Sequence, residues 1–232
     1  MAKEFKIQIP QSIVRNPEIN SKSFVLLAKL IQQYNSQPEN TKSLTFTFKS
    51  YPKFMNFVDI ANKKTFKKSL DDLIEKGLVT NKIKALPRNG QLTITLSPNV
   101  ITDLNKGQMF TQMESGVLNM SIIEEIGHVG VRILYYIMSW INYQKPGKDH
   151  CYASVERMAK DIAVTEKTFI KYIKILEELK FIRVKRFDIR NENFKTDKNG
   201  NESLLLDRWN NHYFIKHDNI KKFNEKSSKL IV

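Results

Sequence analysis

Between Thr165 and Arg186 the chain reads TEKTFIKYIKILEELKFIRVKR, and its apolar positions change period once. Phe169, Tyr172, Ile173, Leu176 and Leu179 recur at spacings of three and four, which places an apolar stripe on one side of a helix. Lys167, Lys171 and Lys174 fall on the opposite side, where they can meet an anion. Thr165 stands where an N-cap hydroxyl accepts a first-turn N–H. After Lys180–Phe181 the period shortens, and Ile182, Val184 and Phe187 alternate as in a strand. Upstream, Ser154 is placed to cap VERMAKDI, with Val155, Met158, Ala159 and Ile162 on one face. Ala163–Val164 then leaves a tight turn before Thr165.

The remaining pattern, from the N-terminus, begins with an extended segment over Phe5 to Val14, in which Pro10 restricts any strand to an edge or an end. FVLLAKLIQQY, after Ser23, predicts a helix with Phe24, Leu27, Ala28, Ile31 and Tyr34 along one side, ended by the polar loop NSQPENTKS. Leu44 to Phe48 alternates as a short strand, and Pro52 opens the weakly helical KFMNFVDI. Asn62 is placed to cap KKTFKKSLDDLIEKG. LVTNKIKALP and QLTITLS flank Arg88-Asn89-Gly90, and Asn-Gly between two alternating runs predicts a hairpin.

These two series are copies of one pattern. At an offset of 103 residues, Lys64-Thr65-Phe66 falls on Lys167-Thr168-Phe169. Without a gap, Lys68, Leu70, Leu73, Glu75, Val79 and Lys82 then fall on Lys171, Ile173, Leu176, Glu178, Ile182 and Lys185. LLAKLIQQYN falls on ILYYIMSWIN at an offset of 107. The repeat divides the chain into residues 1–106 and 107–232, with Gly107 and polar residues interrupting the pattern near the boundary.

Two short helices joined by a tight turn and followed by a basic strand resemble the winged helix-turn-helix superfamily, on the residues SVERMAKDIAVTEKTFIKYIKILEELKFIRVKRF. The expected fold is therefore α+β, mainly α, with two winged helix-turn-helix domains in tandem. The first wing is compact, about Asn89–Gly90. The second carries a longer polar insertion from Arg190 to Ser203 with Asn199–Gly200 at its tip, and Leu204–Leu206 and His212–Ile215 return around Trp209. The lysine-rich tail from Ile220 reads as a short helix or a partly disordered end.

Charge narrows the partners. Of 232 residues, Lys and Arg number 38 against 24 Asp and Glu, a net charge of +14 that favours polyanions. A single cysteine, Cys151, rules out an intramolecular disulfide and fits a reducing, cytoplasmic setting. The most apolar run, Val129 to Ile141, contains Arg132 and is too short to span a membrane, and the N-terminus has no signal-like apolar core. No glycine-rich phosphate loop, GxSxG or HExxH motif is present, and no cofactor or metal is expected. His128, His150, His212 and His217 form no close set, the last two reading as solvent-facing. Tyr135–Tyr136 lies inside an apolar helix and reads as core, not as a nicking nucleophile, while Asp71–Asp72 and Glu124–Glu125, on expected helices, read as solvated or capping pairs. The chain is expected not to be an enzyme.

The residues expected on DNA are Thr165, Lys167, Thr168, Ile170, Lys171 and Lys174 of the second helix. Lys185, Arg186, Arg190, Lys195 and Lys198 are added from its wing, and Lys63, Lys64, Lys67, Lys68 and Arg88 from the first copy. Thr165, Thr168 and Ile170 offer hydrogen bonds and an apolar surface that discriminate bases, whereas adjacent lysines attract any sequence. Tandem winged helices resemble plasmid and phage replication initiators, which implies origin repeats in double-stranded DNA, a homodimer and contact with replication machinery. The alternatives are a transcriptional regulator at an operator, working with the transcription machinery, and a non-catalytic protein-interaction module.

Overall fold

The computed structural model describes residues 6–101, 107–186, 192–196, 200, 202–206 and 211–229, and for 192–196, 202–206 and 228–229 it describes only the course of the backbone. The chain is α+β and mainly helical, with small antiparallel sheets. Strand β1 (Lys6–Pro10) buries Ile7 and Ile9 and pairs with β4 (Phe110–Glu114), Ile7 opposite Met113. The extended segment expected to reach Val14 stops at Pro10. Proline has no N–H to continue a ladder, and its φ of −52° starts one helical turn, α1 (Gln11–Val14).

Helix α2 (Ser21–Asn35) begins ahead of the expected Ser23, because the Asn20 side chain accepts from the N–H groups of Lys22 and Ser23, each at 3.0 Å. Phe24 to Ile31 are all buried, so α2 is enclosed instead of presenting one apolar stripe. Lys29 goes under with them: its Nζ lies 3.7 Å from the centroid of the Phe57 ring, and burial pushes its pKa down to about 8. Against α2 packs α5 (Met120–Trp140), and the buried side chains form one continuous core from Ile7 to Ile220.

Within α5, Gly127 adopts φ 62° and ψ 173°, a break between two helical segments in a region that only glycine enters without strain. A Cβ there would lie 3.3 Å from the Tyr172 hydroxyl on the facing helix. Gly127→Ala is expected to destabilise the fold by about 1–3 kcal/mol, read as a lower midpoint in urea. Arg132, which interrupts the apolar run in sequence, is fully buried in the structure. Its guanidinium donates to the carbonyls of Ile19 and, at 2.6 Å, Asn16, and burial lowers its pKa to about 10.

The two helix pairs share their local construction. Helices α3 (Tyr51–Phe57) and α4 (Lys63–Glu75) correspond to α6 (Val155–Asp161) and α7 (Glu166–Glu178). α4 and α7 have the same length, and both ends keep the offset of 103 residues. Asn62 and Thr165 cap them by the same device, accepting from the N–H of Thr65 and of Thr168. Past their ends, Gly77 and Lys180 take the same left-handed turn, with φ of 66° and 58°. Phe66, Leu70 and Leu73 are buried on α4 as Phe169, Ile173 and Leu176 are on α7.

The sheets complete each copy, with the ladders distributed differently. In the first, β2 (Thr45–Phe48) pairs antiparallel with β3 (Leu92–Thr95), and Val79 adds one bridge to Leu96. In the second, β5 (Ile182–Lys185) pairs with β8 (His212–Ile215), and Cys151 adds one bridge to Tyr213. The hairpin expected between LVTNKIKALP and QLTITLS therefore does not form as such. After Thr80, the Asn81 side chain takes the Thr93 carbonyl at 2.9 Å and the Thr95 N–H at 2.6 Å, and residues 82–87 leave the sheet. Gly90, with φ 80°, still turns the chain back. The second insertion forms a separate hairpin, β6 (Glu192–Thr196) against β7 (Glu202–Leu206). Asn199 and Trp209, expected at its tip and base, lie outside the described residues, as does Phe187. The tail forms α8 (His217–Lys229), anchored by buried Ile220 and by Phe223 edge-on to Phe181 with centroids 5.4 Å apart.

Candidate nucleic-acid interface

The second copy presents α7 at the surface. Phe169, Ile173 and Leu176 face the core, so the helical phase turns Lys167, Ile170, Lys171 and Lys174 outwards, and all four are exposed. With Thr168, Ile175 and Glu178 they line an open hollow of about 780 Å³. Ile170 is 44% exposed, which leaves its apolar surface open to a partner on this face. The two threonines are partly committed: Thr165 Oγ1 caps the Thr168 N–H at 3.2 Å and lies 2.9 Å from Thr168 Oγ1. Each hydroxyl keeps hydrogen-bonding capacity beyond that pair. Ser154 caps the start of α6 through the Arg157 N–H, and Ala163, at φ 55°, makes the short turn that leads into α7.

Of the wing residues, Lys185 is exposed at the end of β5 opposite His212. Arg186 is held by Glu177 of α7 in a bidentate pair, with Nη1 and Nη2 at 3.0 and 2.5 Å from the carboxylate oxygens. That hydrogen bond raises the Arg186 pKa. Arg186 therefore enters the site as a braced cation whose charge is already partly answered. Arg190 and Lys198 lie outside the described residues, and Lys195 is described only as part of the β6 backbone, opposite Ser203.

In the first copy the cations converge on a groove. Lys63, Lys64 and Lys67 of α4 face Lys84, the Ala85–Pro87 segment and Arg88 across an open groove of about 590 Å³, with Tyr51 at its edge. The Tyr51 N–H donates to the Gly90 carbonyl at 2.7 Å, which ties the start of α3 to this turn. Lys67 is paired with Asp71 one helical turn on, and Lys68 is exposed on α4 without lining the groove. Lys84 and Tyr51 escaped sequence reasoning. The KIK run before Pro87 was a signal for Lys84, but only the departure of residues 82–87 from the sheet brings it opposite α4.

The side chains that carry other chemistry are either dispersed or committed to packing. Among the described residues no group of three or more His, Cys, Asp or Glu side chains is arranged to hold a metal. His212 and His217, expected at the solvent, are instead half-buried and partnered, because side chains distant in sequence pack against both rings. The His212 ring stacks on His150 with centroids 4.0 Å apart, and His217 contacts Glu114 and, at 3.0 Å, the Tyr143 hydroxyl. His128 is buried with Nε2 2.8 Å from the Val58 carbonyl, and desolvation lowers its pKa. Tyr135 and Tyr136 are buried core residues, the second donating to Asp161 at 2.7 Å. Cys151 is buried, and burial pushes its thiol up to about 12, where it is inert.

A helix-turn-helix domain family matches residues 134–182, which run from the second half of α5 through α6 and α7 to the first residue of β5. Comparisons with curated proteins and with solved structures give no match. The matched segment contains the α6–turn–α7 unit with its exposed lysine face, and it supports a helix-turn-helix protein that binds DNA. Among the described residues no helix is long and apolar enough to cross a membrane.

Proposed function

We propose that the chain is a non-catalytic, double-stranded DNA-binding protein made of two winged helices in tandem, and that it acts as a replication initiator of plasmid or phage type at repeated origin sites. The observation that carries the tandem reading is the shared construction of α4 and α7: equal length, equivalent caps, the same left-handed exit and the same buried face. In this reading α7 enters a major groove and reads base edges through Thr168, Ile170 and Lys171. The groove of the first copy, with Lys63, Lys64, Lys84 and Arg88, holds backbone phosphates. Two DNA-facing units in one chain suit adjacent repeats, and a dimer would double that number.

Binding to a mixed-sequence duplex is expected to weaken steeply with salt, with log K falling against log salt by about 0.9 for each phosphate contact. A titration that shows no binding at low salt would leave protein interaction as the better reading. The initiator role is tested by transforming a replicon that carries only this gene and its flanking DNA. Autonomous replication is the expected outcome. Repression of a reporter by the same flanking DNA, without replication, would assign the protein to transcriptional control.

A further inference from the structure

A second surface, distinct from the exposed face of α7, lies where the end of α5 meets the sheet of the second copy. The inner positions of that sheet, Cys151, Ile182, Tyr213 and Ile215, are buried. The alternate positions carry rings and cations instead. The Trp140 ring lies 5.6 Å from Tyr152, Tyr152 lies 6.3 Å from His150, and His150 lies 5.2 Å from Phe214, all measured between centroids. Cations border this row along its length: Arg157 is 5.1 Å from the Trp140 centroid, Lys148 is 5.0 Å from Tyr152 and Arg183 is 4.6 Å from Phe214. The carboxylates paired with these groups, among the described residues, are Asp149 on His150 and Asp161 at 3.7 Å from Arg157. Tyr152 is 39% exposed and the Arg157 side chain 61%.

We propose that this face binds single-stranded nucleic acid, with an unpaired base stacking on the exposed Tyr152 ring, which the neighbouring rings hold in place, and the phosphates lying along Lys148, Arg157 and Arg183. A duplex keeps its bases stacked on one another and offers a protein only phosphates and base edges, for which a row of rings has no use. An unpaired base offers a π-face, and rings interleaved with cations are the combination that engages both parts of a single strand. The chemistry is shared by DNA and RNA, and the proposal does not depend on duplex binding by α7.

The test uses the full chain with oligothymidine and oligouridine of about 16 nucleotides, the upper site size of one such groove, alongside a mixed-sequence duplex, all followed by fluorescence anisotropy. Wild type is expected to bind at least one oligomer at low salt, and the stronger of the two identifies DNA or RNA as the ligand. Tyr152→Ala should weaken that binding about fivefold or more, while Tyr152→Phe retains it and duplex affinity stays unchanged in both. Lys148→Ala, which removes no buried group, should lower the single-strand salt slope by about 0.7 and decides the matter if Tyr152→Ala does not fold. Absence of single-strand binding in wild type, an unchanged affinity in Tyr152→Ala or Lys148→Ala, or an equal loss on the duplex would overturn the proposal. Lys171→Ala is the separating control: it should affect the duplex and spare the oligomers.

Discussion

Replacing Lys171 and Lys174 together by alanine is expected to lower duplex affinity by about tenfold or more while leaving the thermal midpoint nearly unchanged. Both side chains are exposed on α7, pointing away from Phe169, Ile173 and Leu176, so their removal opens no cavity. The loss arises from phosphate and base contacts, each worth roughly 1–3 kcal/mol when it reads a base and about one counterion when it does not. Anisotropy titrations on a duplex at two salt concentrations measure both the drop and the shallower slope. Unchanged affinity in this variant, with a large loss in Lys63→Ala/Lys64→Ala, would transfer the principal DNA contact to the groove of the first copy.

Leu176→Ala should do the reverse. Leu176 is fully buried on α7, and truncation removes its contacts and leaves a void that the packed neighbours refill only in part, at a cost of about 2–5 kcal/mol. Leu73, its counterpart on α4, is equally buried and should cost a similar amount. Urea denaturation measures both. If Leu176→Ala melts like wild type while Lys171→Ala unfolds, the buried face of α7 is the one that carries Lys171.

The helices that form the candidate site were legible because what makes them is local. Asn62, Ser154 and Thr165 each satisfy an N–H within three residues, and the burial of Phe66, Leu70 and Leu73, or of Phe169, Ile173 and Leu176, follows from spacing alone. The hairpin at Asn89–Gly90 keeps only one of its expected legs as a strand, because the competing partner for the Thr93 and Thr95 backbone is the side chain of Asn81. Turn chemistry placed the reversal correctly and said nothing about which strand the returning segment would join. It joins β2, about forty-six residues upstream in the Thr47–Thr93 pair. Charge was legible as a total and illegible as a site. Lys67 and Arg186 look like free lysine and arginine in the sequence, but Asp71 and Glu177 have already answered them.

By itself, then, the sequence determined the α+β, mainly helical class, the phase and caps of α4 and α7, and the side of each on which lysines emerge. These depend on bonds and spacings within a turn or two of helix, so a local reading suffices. The tertiary structure alone decided that β1 pairs with β4, that Arg132 turns inwards to the carbonyls of Asn16 and Ile19, and that Gly127 breaks α5 under Tyr172. It also decided that Lys84 faces α4 and that Trp140, Tyr152, His150 and Phe214 form a row. Each of these depends on at least one contact between segments not adjacent in the chain, and which partner satisfies a buried donor or covers an aromatic ring is chosen only when the whole core closes around them.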